Sequence, residues 1–157
     1  MFDAARKRRL KVKSLLLDQS LVAGIGNIYA DEALYGAGIH PERAANELTY
    51  DECTRLAKVI RKLLTRSIAN GGSSIDDYVH PDGSDGRFQN HFRVYGRTGA
   101  PCRTCRTPVE RIVIGQRSSH FCPHCQRWRR PRARRPHIPA STDCGDRRGR
   151  ERRNCRA

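Results

Sequence analysis

The chain has 157 residues, 30% of them charged and 37% hydrophobic, with a net charge of +15 and a pI near 10.3. That excess points to a polyanionic partner, nucleic acid before an anionic membrane surface. No apolar run reaches the ~18 residues of a spanning helix, and the opening MFDAARKRRLKVK carries no signal-type apolar stretch, so integral membrane and secreted classes are set aside.

Residues 1–13 read as a basic lead-in with Arg6, Lys7, Arg8, Arg9, Lys11 and Lys13. Ser14 to Val22 predicts a short apolar helix, which Ala23-Gly24-Ile25-Gly26-Asn27 interrupts with two glycines. Ile28 to Gly36 resumes the helix, with Ile28, Ala30, Ala33 and Leu34 facing a core, and Gly36 and Gly38 end it before the exit turn Ile39-His40-Pro41. A helix N-terminus preceded by glycines presents bare backbone N–H groups, so the Gly-Ile-Gly-Asn turn is a candidate phosphate site.

Thr49-x-x-Glu52 predicts a capping box, and Leu56, Val59, Ile60, Leu63 and Ile68 repeat at helical spacing up to Asn70-Gly71-Gly72. The opposite face, with Arg55, Lys58, Lys62 and Arg66, reads as solvated. Cys53, at the start of this helix, reads as a small semi-buried residue. From Gly71 to Arg97 the chain is glycine-rich and polar, a length at which a loop is usually functional, and Phe92-Arg93-Val94-Tyr95 alternates like a strand.

Cys102, Cys105, Cys122 and Cys125 form C-x2-C-x16-C-x2-C. Two such knuckles make a closed four-thiolate shell for one structural zinc, which supplies folding energy to a segment poor in apolar residues. Val109, Ile112, Val113 and Ile114, then Gly115, then Phe121 predict a β-hairpin joining the knuckles. His120 and His124 read as surface neighbours of the site. From Arg127 to Ala157 there are twelve arginines and three acids, a composition read as a disordered tail.

With these motifs in order, residues 13–41 (KSLLLDQSLVAGIGNIYADEALYGAGIHP) resemble the helix–two-turn–helix signature of the bacterial formamidopyrimidine-DNA glycosylase and endonuclease VIII family. Residues 94–126 resemble that family's C-terminal zinc finger, and GGSSIDDYVHPDGSDGRFQ is similar to the lesion-facing loop of its formamidopyrimidine branch. The resemblance implies a mainly α fold with a small β zinc ribbon. Its parts are the lead-in at 1–13, the helix–two-turn–helix domain at 14–92 with its loop at about 71–92, the finger at 93–127 and the tail at 128–157.

The resemblance also implies double-stranded damaged DNA as partner, one zinc, a monomer, and a bacterial cytoplasmic, nucleoid-associated setting. It places Lys13, Asn27 and Arg117 at phosphates around an extruded nucleotide, with Tyr29 as a packing or phosphate-contact candidate. The family's activity is excision of oxidised purines followed by strand cleavage at the abasic sugar. Its nucleophilic proline, its proton-transfer glutamate and a loop lysine lie on an N-terminal domain. This sequence opens Met1-Phe2-Asp3 and offers no catalytic residue of that set, so the expectation is a chain inactive alone. The missing half and the added tail fit a reading frame that starts late and ends shifted. A non-catalytic, zinc-dependent DNA-binding module is the alternative, with an RNA- or ribosome-binding zinc protein behind it.

Overall fold

The computed structural model describes residues 2–69 and 91–128. The loop expected at 71–92 therefore lies outside the described residues except at its last two positions, and the Arg-rich tail lies outside beyond Trp128. In chain order the elements are α1 (Phe2–Arg6), α2 (Val12–Leu16), α3 (Asn27–Ala37), a 3₁₀ turn (Ala45–Glu47), α4 (Tyr50–Ala69), β1 (Glu110–Ile114) and β2 (Arg117–Phe121). Among the described residues no helix is long and apolar enough to cross a membrane.

The lead-in is more ordered than its charge predicts. Ala5 is buried, and Phe2 meets Tyr50 edge to face at 5.5 Å while the Arg6 guanidinium sits 5.7 Å over the Phe2 ring. Residues 10–12 then run against the segment after α3, with Val12 N–H donating to Arg43 O at 2.8 Å and Ala45 N–H to Leu10 O at 2.9 Å.

α2 is shorter than the predicted Ser14–Val22 helix because Asp18 diverts the backbone. Its carboxylate accepts Ser20 N–H at 3.1 Å and Ser20 O–H at 2.6 Å, and its carbonyl accepts the N–H groups of Leu21 and Val22. Gln19 then spans the glycine turn, accepting Gly24 N–H at 3.0 Å and donating to Ile25 O at 2.9 Å. Gly24, at φ +80°, takes the left-handed step this turn requires.

α3 ends in a Schellman motif: Gly38 at φ +69° donates to Tyr35 O, and Ile39 N–H reaches Leu34 O, both at 3.0 Å. α4 starts with the predicted capping box, Glu52 N–H to Thr49 Oγ1 at 3.2 Å and Thr49 N–H to Glu52 Oε2 at 2.9 Å. The two helices pack closely at Gly36, where a Cβ would stand 2.7 Å from Val59 Cγ1. Val12, Leu15, Leu16, Ile25, Leu34 and Leu56 form the heart of this core.

Ile68 departs from the predicted stripe, standing 80% exposed. The inward row runs Leu56, Ile60, Ser67, and a residue one place on is turned by about 100° around the helix. Ser67 meets the Tyr29 hydroxyl there.

The β-hairpin forms as predicted, with Glu110 opposite Phe121 and Ile114 opposite Arg117. Gly115 (φ 55°) and Gln116 (φ 62°) both lie in the left-handed region, the geometry of a two-residue turn that matches strand twist. Phe92–Tyr95 is not a strand, although Phe92 and Val94 do turn inward. Its N–H groups go to a carboxylate of α3 instead of to a neighbouring strand.

Candidate functional site

The four knuckle cysteines converge. Their Sγ atoms all lie within 4.8 Å of one another, with Cys105–Cys122 at 3.4 Å, Cys105–Cys125 at 3.5 Å and Cys102–Cys125 at 3.8 Å. These separations far exceed the ~2.05 Å of a disulfide and match the ~3.8 Å edge of a tetrahedron with Zn–S near 2.3 Å. Thr104 N–H and Cys125 N–H point at Cys102 Sγ and Cys122 Sγ, both at 3.4 Å, the donors a thiolate needs. The set fits a single structural zinc held by Cys102, Cys105, Cys122 and Cys125, with no ligand position left for water.

Burial alone would raise the Cys102 thiol, but the Tyr35 hydroxyl and the N–H groups of Cys105 and Thr104 bring it down to about 6. Tyr35 is itself pushed up to about 12, first by burial and then by its bond to Cys102.

The finger is fastened to α3 by buried polar groups. Glu32, 4% exposed, accepts the N–H groups of Arg93, Val94 and Tyr95 at 2.9–3.0 Å. Asp31, 1% exposed, accepts Lys13 Nζ at 2.7 Å, Ser119 O–H at 3.0 Å, His120 N–H at 2.8 Å and His120 Nδ1 at 3.2 Å. Gln126 accepts Cys122 N–H and donates to Ile39 O, both at 2.8 Å. Asp31, Glu32 and Gln126 went unread in the sequence. A signal was present: apart from Asn27, the helix NIYADEALYGA has Asp31 and Glu32 as its only strongly polar residues. A helix so apolar all round is buried, and its acids need partners.

His120, predicted at the surface, is 7% exposed and turned onto Asp31 and the Tyr95 ring, 5.0 Å between centroids. Ser119, His120 and Phe121 are buried in succession, because β2 is covered on both faces at this end. His124 is exposed as predicted, and Cys53 is buried more fully than predicted, at 3% exposed.

Of the three residues placed by resemblance at phosphates, Lys13 faces inward. Its side chain is fully enclosed, and its ammonium donates to Asp31 Oδ1 at 2.7 Å and Ser118 O at 2.6 Å. Burial lowers its pKa, Asp31 opposes that, and the nearby Arg117 charge adds to the lowering.

That same network joins α3, which begins at Asn27, to β2, which begins at Arg117. Asn27 lies one helical turn before Asp31, on the same face of α3. Arg117 is exposed at the first position of β2, next to the Ser118 carbonyl that Lys13 holds. Asn27 Oδ1 is buried with no hydrogen-bond partner among the described residues, and no side chain caps the N-terminus of α3. The buried Asp31 carboxylate thus ties the helix that Asn27 opens to the strand that Arg117 opens.

Comparison with known proteins identifies the family. The family of the formamidopyrimidine-DNA glycosylase H2TH domain matches residues 1–79, and the zinc finger found in FPG and IleRS matches residues 99–127. The chain is 53% identical over 127 residues to the formamidopyrimidine-DNA glycosylase of Thioalkalivibrio sulfidiphilus, covering 81% of this chain and 47% of that protein. The MutM (Fpg) protein of Thermus thermophilus superposes with a TM-score of 0.76 at 48% identity, over 80% of this chain and 48% of that one. Lactococcus lactis Fpg, solved with DNA containing an abasic site, gives 0.75 at 42% identity, over 81% and 46%. The chain thus spans about half the length of the relatives it matches. With its helix–two-turn–helix fold, its four-cysteine finger and these likenesses, the chain belongs to the formamidopyrimidine-DNA glycosylase family.

Proposed function

We propose that this chain is the damaged-DNA-binding part of a base-excision-repair glycosylase and abasic-site lyase acting on oxidised purines of the formamidopyrimidine and 8-oxoguanine type. The observation that carries the reading is the tie that Asp31 makes between α3 and the hairpin that carries Arg117. Extruding a nucleotide strains the backbone on both sides of it, and a rigid pair of phosphate donors holds that strain. Arg117 offers a two-pronged guanidinium. Asn27 adds the N–H groups of the first turn and its own side-chain amide as a donor. Lys13 acts through Asp31 as a positioning residue and touches no phosphate itself.

The zinc is structural: its four thiolates close the shell, and the hairpin it holds presents Arg117. The amine nucleophile and proton-transfer carboxylate of the family chemistry have no counterpart among these residues, so orientation of DNA is this part's share of the work. Its setting is the cytoplasm, on the nucleoid, as a monomer on duplex DNA.

Binding of the full chain to a duplex with a stable abasic-site analogue, against an undamaged duplex, tests the reading. Arg117→Ala is expected to weaken lesion binding by about 1.5–3 kcal/mol, as for a charge-assisted hydrogen bond. Asn27→Ala is expected to cost about 0.5–1.5 kcal/mol. Equal affinity for both duplexes would remove the lesion-recognition reading and leave a general nucleic-acid binder. Borohydride reduction on abasic DNA should give no cross-linked band.

A further inference from the structure

Tyr35 is 6% exposed, belongs to α3, and reaches 67 residues along the chain to the first zinc knuckle. Its hydroxyl lies 3.2 Å from Cys102 Sγ and 2.8 Å from Thr104 Oγ1. The phenol has one proton to give. A metal-bound thiolate has none and only accepts, so the proton goes to sulfur and the Thr104 hydroxyl donates to the phenol oxygen. Together with the N–H groups of Thr104, at 3.4 Å, and of Cys105, Cys102 Sγ then receives three donors, one of them from the helical core.

We propose that Tyr35 is a positioning residue for the zinc centre, its O–H donating to Cys102 Sγ so that retention of the metal depends on α3. This rests on the four cysteines holding zinc. A hydrogen bond to a thiolate fixes its direction and draws off electron density, so the sulfur binds the metal in one orientation and yields more slowly to competing ligands. Tyr35 also packs beside Val94, Val109 and Cys122 in the finger's small core, so the ring contributes burial and the hydroxyl contributes the bond.

Tyr35→Phe in the full zinc-loaded chain separates these roles, because the ring stays and only the hydroxyl goes. Transfer of zinc to an excess of a chromogenic chelator is expected to quicken about 10-fold, the low end of the effect of outer-shell partners on metal affinity. With cobalt(II) in place of zinc, the thiolate-to-cobalt charge-transfer band should move to lower energy, since an unbonded sulfur gives up an electron more readily. Thr104→Val should move the band the same way by less. Faster release with an unmoved band would overturn the proposal and assign Tyr35 to packing. Unchanged release together with an unmoved band would overturn it too. Should Tyr35→Phe fail to fold, Thr104→Val at its exposed site decides: a moved band supports the bond and an unmoved one rejects it.

Discussion

The helical half and the finger are built on different physical terms. The first buries Val12, Leu15, Leu16, Ile25, Leu34 and Leu56 to 1% exposure or less, in a core continuous from α1 to α4. The finger's core is Tyr35, Val94, Cys102, Val109 and Cys122, of which two are metal ligands and one is borrowed from α3. Hydrophobic burial at about 25 cal/mol per Å² can hold the first. The second depends on metal and on buried polar bonds to α3. What joins them is a seam of carboxylates, and that seam sets where Arg117 stands relative to Asn27.

Removing zinc tests this division most strongly. Structural zinc in small fingers is worth about 10–16 kcal/mol at neutral pH, so chelation or four Cys→Ser changes should unfold the hairpin while α2–α4 keep their helical signal. The single tryptophan reports it, because Trp128 stacks on His40 at 5.2 Å and His40 packs on Phe121 at 4.5 Å. Far-ultraviolet helical signal retained alongside altered Trp128 fluorescence is the expected outcome. Loss of both together would show a single cooperative unit.

Asp31→Ala attacks the seam itself. It leaves the Lys13 ammonium enclosed without its counter-charge, and breaking a buried pair from one side costs about 3–5 kcal/mol. Denaturant unfolding of the zinc-loaded chain measures it. Lys13→Met with Asp31→Leu should recover part of the loss, because neither charge is then left buried alone. Gly36→Ala acts within the helical half only. A methyl 2.7 Å from Val59 forces the two helices apart, at about 1–3 kcal/mol, and Val59→Ala in the same chain should relieve it.

What the sequence showed and what it hid divide along the same line. The capping box, the glycine turn, the knuckles and the hairpin are legible because each is set by residues within a few places of one another. The seam is not, because its partners lie 61 to 89 residues apart: Glu32 with Arg93 and Asp31 with His120. The inward turn of Lys13 is hidden for a similar reason, since neither Asp31 nor the Ser118 carbonyl, 105 residues on, is announced by the residues beside it. Phe92–Tyr95 reads as a strand by alternation alone. Its N–H groups find a carboxylate that alternation cannot foresee. The shorter α2 is a local matter, and Asp18-x-Ser20 was a readable sign of it.

The smallest effect concerns the start of α4. Burial would raise the pKa of Glu52, but the Arg43 guanidinium, 2.5 Å from Oε1, and the Thr49 N–H hold it below the ordinary 4.5. A carboxylate whose pKa is depressed on folding adds stability in full above its unfolded value and loses it as pH falls through the folded one. Acid should therefore loosen α4 at its capping box, and Glu52→Gln should remove that part of the pH dependence while lowering stability at neutral pH. Thr49→Ala, which deletes the other half of the box, should cost about 0.5–2 kcal/mol at pH 7. Acid also protonates the zinc thiolates, so the informative quantity is the difference between Glu52→Gln and the parent chain at each pH, with the finger common to both. That difference should shrink between pH 7 and pH 3. A constant difference would mean that Glu52 stabilises α4 through packing and not through its charge.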